Sequence, residues 1–159
     1  MALPLKIEHR VGVQAPAAAI WAFLIDVDGW SRWNPLYPKA SGRVGFEARL
    51  DLTVALPGEA PREIHPTIVD WTPNEQIIWR LSLLGGLLRS TRYIETETLD
   101  NGNVIFSNGE IFEGPLLWML SRKQRRAIKA GFAAFGDAVR DRAEAAWKAE
   151  HPDATSASA

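Results

Sequence analysis

The chain contains no cysteine, which excludes a disulfide framework, a thiolate nucleophile and a thiolate-held zinc. Histidine is scarce as well. His9, His65 and His151 lie too far apart in sequence to give a metal-ligand spacing, and neither a metal nor any other cofactor is expected. Charge of one sign is missing too: 18 Lys and Arg against 19 Asp and Glu leave a formal net charge of −1. That removes the field that would draw the whole domain onto nucleic acid or an anionic membrane. Long hydrophobic runs are absent. The nearly charge-free stretch 77–88 is broken by Arg80, Ser82 and Gly85-Gly86, so stable membrane insertion is not expected. The first residues, Met1-Ala2-Leu3-Pro4-Leu5-Lys6, have no basic segment ahead of an apolar one. Nothing there marks a secretory signal and the cytoplasm is the expected compartment, although a chain already processed would read the same.

What is present suits one folded unit. With 159 residues, 47% hydrophobic and 23% charged, residues 1–150 are expected to form a single soluble domain, monomeric or homodimeric. The small polar segment 151–159 is expected to be a disordered tail.

Periodicity supplies the elements. Ile7, His9, Val11 and Val13 alternate with polar residues or glycine as in a strand with one buried face. Pro16 opens an amphipathic helix running to Val27, and Trp30 and Trp33 share one side of a short helical turn closed by Pro35. From Ala40 to Phe112 the period is two. Leu50, Leu52, Val54 and Leu56 form one set, with Ile64, Pro66 and Ile68 as an antiparallel neighbour, followed by Ile77, Trp79, Leu81 and Leu83. Asp100-Asn101-Gly102 then reads as a three-residue hairpin loop joining 89–99 to 104–112. After Gly114-Pro115 no proline recurs until Pro152, and Leu117, Leu120, Ile128, Phe132, Phe135 and Val139 approximate one face of a long helix. Such a helix must lie across the sheet or bend.

The order β, two short helices, several strands, one long helix predicts an α+β fold: a curved antiparallel sheet of about seven strands wrapped around the C-terminal helix. The chain resembles the SRPBCC or START-like superfamily, which has the helix-grip fold, in its polyketide cyclase/dehydrase-like branch. The resemblance runs from Val13-Gln14-Ala15-Pro16 and Ile20-Trp21 through Trp30-Ser31-Arg32-Trp33-Asn34-Pro35 to Pro66-Thr67-Ile68-Val69. It continues at Trp79, at Phe112-Glu113-Gly114-Pro115 and at Gly131-Phe132-Ala133-Ala134-Phe135. It lies in spacing along nearly the whole domain rather than in one motif.

The resemblance implies a cavity between sheet and helix that takes a small, largely apolar ligand of lipid, polyketide or aromatic type. Alternation puts Leu52, Val54, Ile64, Ile68, Trp79, Leu81, Ile94, Phe106 and Phe112 on its sheet wall, with Trp33 beside it and Ile128, Phe132 and Phe135 facing it from the helix. The alternative is a solid core of the same side chains. In the last hairpin the loop sets a register in which partner numbers sum to 202. Arg92 then faces inward opposite Glu110, Ile94 opposite Asn108, and Thr96 opposite Phe106. An inward Arg92 calls for the Glu110 carboxylate, with Asn108 completing the hydrogen bonds. Such a pair is either a polar anchor for a carboxylate, carbonyl or hydroxyl on the ligand, or a half-solvated contact at the mouth.

Beside its cationic partner Glu110 is expected to stay ionised, which makes it a poor general acid. Related sequences often carry His where this chain has Arg92 and Asn108. Its absence speaks against His-based proton transfer, and His9 reads as a core residue. Binding, as a carrier or sensor, is therefore expected ahead of catalysis. One alternative is a cyclase or hydrolase in which Arg92, Glu110 and Asn108 polarise a carbonyl; another is a protein-interaction or chaperone-like module. The basic run Arg122-Lys123-Gln124-Arg125-Arg126 with Lys129 reads as a solvated helix face, and no nucleic acid is expected to bind it. Leu83 to Leu88 and Leu116 to Leu120 suggest an apolar lip at the cavity entrance or a partner surface.

Overall fold

Among the described residues, the alternating segments become eight antiparallel strands, and two helices carry the apolar stripes. A computed structural model describes residues 3–152. In order, the elements are β1 (Leu5–Val13), α1 (Ala17–Leu24), a 3-10 turn (Val27–Arg32), β2 (Lys39–Ser41), β3 (Asp51–Val54), β4 (Arg62–Ile64) and β5 (Thr67–Thr72). There follow β6 (Gln76–Leu83), a turn (Leu84–Gly86), β7 (Leu88–Thr98), β8 (Val104–Glu113), a turn (Leu117–Met119) and α2 (Arg122–Glu150). The expected tail lies, beyond Pro152, outside the described residues.

Five strands form a sheet in the order β1-β8-β7-β6-β5, and three form a smaller one, β2-β3-β4. The two are joined by a bridge between Arg49 and Thr67 and by main-chain hydrogen bonds from Leu50 to Pro66 (3.0 Å) and from Ile68 to Ala48 (2.8 Å). Eight strands replace the expected seven or so. Pro66 has no N–H to donate, so the run around it divides into β4 and β5, and Lys39–Ser41 adds a short strand that pairs with β3.

The β7–β8 hairpin has the register that its loop implies: Arg92 pairs with Glu110, Ile94 with Asn108 and Thr96 with Phe106. Gly102 takes φ 85°, the left-handed conformation that closes such a loop.

The helices are shorter than the apolar spacing suggests. α1 ends at Leu24, and Val27 opens a separate 3-10 turn. α2 starts at Arg122 because Ser121 forms a capping box with Gln124: its Oγ accepts from the Gln124 backbone N–H at 3.1 Å, and Gln124 Oε1 accepts from the Ser121 N–H at 2.9 Å. Leu117 is thereby left in its own turn. The 29 residues of α2 extend about 43 Å and bury Ile128, Phe132, Phe135, Val139 and Ala143 against the sheet. α2 packs on β1, β8 and α1.

Candidate functional site

Between the concave sheet and the first half of α2 lies a cavity of about 320 Å³. This is within the range of small-molecule sites and far above what one water occupies. Its sheet wall is built from Val54 of β3, Ile64 of β4, Trp79, Leu81 and Leu83 of β6, and Phe112 of β8. Ile128 and Phe132 close it from α2. The exposed liners Leu84, Met119 and Arg62 mark its mouth, whereas Trp79, Tyr37 and Arg92 on the opposite side are almost wholly buried.

At that buried end sits a guanidinium. Arg92 is 1% exposed, and four hydrogen bonds fix its plane. Nε donates to the Tyr37 hydroxyl (3.1 Å), Nη1 to the carbonyls of Tyr93 (3.0 Å) and Gly109 (3.1 Å), and Nη2 to Asn108 Oδ1 (2.9 Å). Its Cζ lies 4.0 Å from the centre of the Phe132 ring, with Phe135 and Trp79 somewhat farther away. Asn108 needs both ends of its amide here. While Oδ1 receives Arg92, Nδ2 donates to the Phe132 carbonyl on α2 at 3.2 Å, coupling sheet to helix. Of the five guanidinium N–H groups, one on Nη2 remains without a protein partner, and the Tyr37 hydroxyl still has its own proton to donate.

Glu110 lines the same cavity, yet it forms no ion pair with Arg92. The expected contact is replaced. Tyr37, Asn108 and the carbonyls of Tyr93 and Gly109 satisfy the guanidinium, and of these only Tyr37 lies outside the β7–β8 hairpin. The direction of the shift at Glu110 is also the reverse of the one expected from an adjacent cation. Burial pushes its carboxyl above the ordinary glutamate range, and Arg92, the Ser90 hydroxyl and Arg62 offset this only in part. Burial likewise raises the Tyr37 phenol, with the Arg92 cation pulling the other way.

The residues proposed from sequence divide into two groups. Val54, Ile64, Trp79, Leu81, Arg92, Glu110, Phe112, Ile128 and Phe132 line the cavity. Leu52, Ile68, Ile94, Phe106, Asn108 and Phe135 are fully buried away from it, and Trp33 packs on Phe135 with ring centres 6.1 Å apart. His9 faces α2, where a Cβ on Gly136 would come within 2.8 Å of its Nδ1; that nitrogen has no hydrogen-bond partner, and the residue does not reach the cavity.

The family model described as polyketide cyclase / dehydrase and lipid transport matches residues 4–144. The chain belongs to this family.

Solved structures agree with this polyketide cyclase/dehydrase and lipid transport family fold. The Zhui aromatase/cyclase from Streptomyces sp. R1128 superposes with a TM-score of 0.71 at 21% identity, covering 89% of this chain and 94% of that one. Norcoclaurine synthase from Thalictrum flavum gives 0.65 at 16% identity, over 87% and 86% of the two chains. The di-domain aromatase/cyclase StfQ of the steffimycin biosynthetic pathway gives 0.72 at 16% identity, covering 91% of this chain and 52% of StfQ. No curated protein sequence matches the chain. At these identities the likeness establishes the fold alone.

Several lining residues of this family member were not singled out from sequence. Ser90 carries the even-numbered β7 face of Arg92 back by one position of the alternation, toward Leu88 of the expected lip, so continuing that alternation would have found it. Leu36 and Tyr37 follow Pro35 in irregular chain, where no period applies. Their one local signal is Asn34, whose Oδ1 accepts from the backbone N–H groups of both.

Proposed function

We propose that this protein binds a small, largely apolar molecule bearing one oxygen function, with its oily body between β6 and α2 and its oxygen at Arg92, Tyr37 and Glu110. The observation that carries this reading is the cavity's buried polar end: two unused donors, Arg92 Nη2–H and Tyr37 O–H, beside a carboxyl, in a space whose other walls are mostly aliphatic and aromatic, with Ser90, Glu59, Arg62 and Gln124 as the remaining polar liners. A carbonyl, carboxyl or hydroxyl satisfies those donors, whereas a pure hydrocarbon leaves them unpaired. Carriage or sensing needs no more than this.

Titration with anilinonaphthalene sulfonate tests it. The dye is expected to bind at one site per chain and to be displaced by apolar carboxylic acids or phenols better than by alkanes of equal size. Leu81→Trp, which fills the space, is expected to abolish binding without unfolding the protein. Unchanged binding by this variant overturns the reading.

A second reading, an enzyme acting on a carbonyl compound in the same cavity, is favoured by Glu110. A carboxyl with a raised pKa keeps its proton closer to neutral pH and suits a general acid. Glu110→Gln separates the two. Under the binding reading affinity for apolar ligands persists; under the enzymatic one turnover of a polyketide-like carbonyl substrate falls by orders of magnitude.

A further inference from the structure

We infer that the rim of the cavity is a docking surface for an anionic lipid bilayer. The inference goes beyond the ligand reading and does not depend on the cavity being filled. Among the described residues, the exposed large apolar side chains include Leu84, Leu87, Trp118 and Met119, and Trp118 is 75% exposed. All four belong to two neighbouring segments, the turn after β6 and the turn before α2, which the Leu116 N–H ties together by donating to the Leu87 carbonyl at 3.1 Å. Leu84 adopts φ 51°, a conformation rare outside glycine, followed by Gly85 at 66° and Gly86 at 90°. The backbone is bent unfavourably to present this tip.

Cations border the apolar tip. Arg122, Lys123, Arg126 and Lys129 are exposed at the start of α2, and among the described residues none takes part in an ion pair. The first turn of α2 holds no acid, although its unpaired N–H groups favour negative charge; cations there raise the local positive potential. Arg125 folds back, its Nε donating to the Leu120 carbonyl at 3.1 Å, so the basic turn adjoins the lip directly. Exposed Arg89 on β7 adds no net charge, because Glu113 stands opposite it across the ladder.

An apolar tip flanked along α2 by positive charge matches a bilayer whose headgroups are negative and whose acyl boundary is oily. A second copy of the chain fits less well, because two-fold pairing of the same face brings like cations together. RNA fits less well too, since one aromatic ring gives little to stack on and the aliphatic side chains give nothing.

Co-sedimentation of the full chain with vesicles tests this, comparing phosphatidylcholine alone with phosphatidylcholine plus phosphatidylserine. Binding is expected only to the serine-containing vesicles and is expected to weaken as salt is raised. Arg122→Gln with Lys123→Gln is expected to weaken it about 25-fold, at about 5-fold per cation near the surface. Trp118→Ser is expected to weaken it about 10-fold, with little salt dependence of the loss. Both variants should retain the thermal melt and the dye affinity of the parent protein, so that failure of docking is distinguishable from failure of the cavity reading. Equal partition onto both vesicle types, no partition at all, or a Trp118→Ser change that converts a dimer to a monomer while vesicles are ignored would each overturn the proposal. Binding that a short RNA competes away, with Trp118→Ser having no effect, overturns it as well.

Discussion

The groove between sheet and α2 has two halves built on the same backbone plan, one filled and one hollow. In the filled half, Trp30, Trp33, Tyr37, Phe106 and Phe135 meet ring to ring, with centroids 5.4 to 6.3 Å apart, Tyr37 reaching the edge of the cavity. In the hollow half the facing side chains are Val54, Ile64, Leu81, Leu83 and Ile128. What differs is composition: rings cluster on one another in the filled half, whereas the hollow half is lined mostly by aliphatic side chains, with Trp79, Phe112 and Phe132 among them. Arg92 and Phe132 stand at the border, which is why a buried cation can be packed on one side by aromatic faces and look into open space on the other.

Substitution can break that comparison. Phe135→Ala removes a ring that four aromatic neighbours touch and is expected to lower stability by about 4 kcal/mol in urea denaturation. Leu81→Ala, bordering space that is already empty, is expected to lose less than about 2 kcal/mol. Equal losses would mean that the hollow half is in fact packed. At the border, Arg92→Leu orphans Asn108 Oδ1 and two main-chain carbonyls, with an expected loss of about 3 kcal/mol that Arg92→Lys does not recover, because an ammonium cannot reproduce the planar fork.

Glu110 sharpens the contrast through pH. Its carboxyl holds a proton more tightly in the folded chain than in the unfolded one. Its contribution to stability is therefore fully present below the unfolded glutamate range and is lost as pH rises through its folded value. Urea midpoints of the parent protein are expected to carry this decline, and those of Glu110→Gln are expected to lack it; parallel profiles would show that the carboxyl is better solvated than its position implies. Smallest of all is Gly131→Ala. Its new methyl group crowds the ends of the Leu56 and Leu36 side chains, at 2.9 and 3.0 Å, and meets Pro57 Cδ at an ordinary 3.9 Å; the gain in helix propensity offsets the crowding, so stability is expected to move by under about 1 kcal/mol.

Face was legible in the sequence, and depth was not. The loop Asp100-Asn101-Gly102 was enough to pair Arg92 with Glu110 and to turn Asn108 inward, because a hairpin register propagates by counting. Counting says nothing of where along the groove a residue falls, so Ile94 and Phe106 were assigned to the same wall as Leu81 although they belong to the filled half. The missing ion pair has a related cause. Tyr37 reaches Arg92 across 55 positions of sequence, and a partner supplied from irregular chain leaves no periodic trace. The length of α2 was overread because apolar spacing continues through Leu117, while a Ser-Gln capping pair decides where the helix begins.

Gly131 stands behind the cavity rather than in its wall, yet the two side chains nearest to its missing Cβ, Leu36 and Leu56, are both lining residues. Bulk added there would act like a wedge driven in from the rear, pushing those leucines forward and narrowing the bore without altering any atom that a guest would touch. The calibre of the chamber is thus adjustable from a position that a survey of its lining would never include.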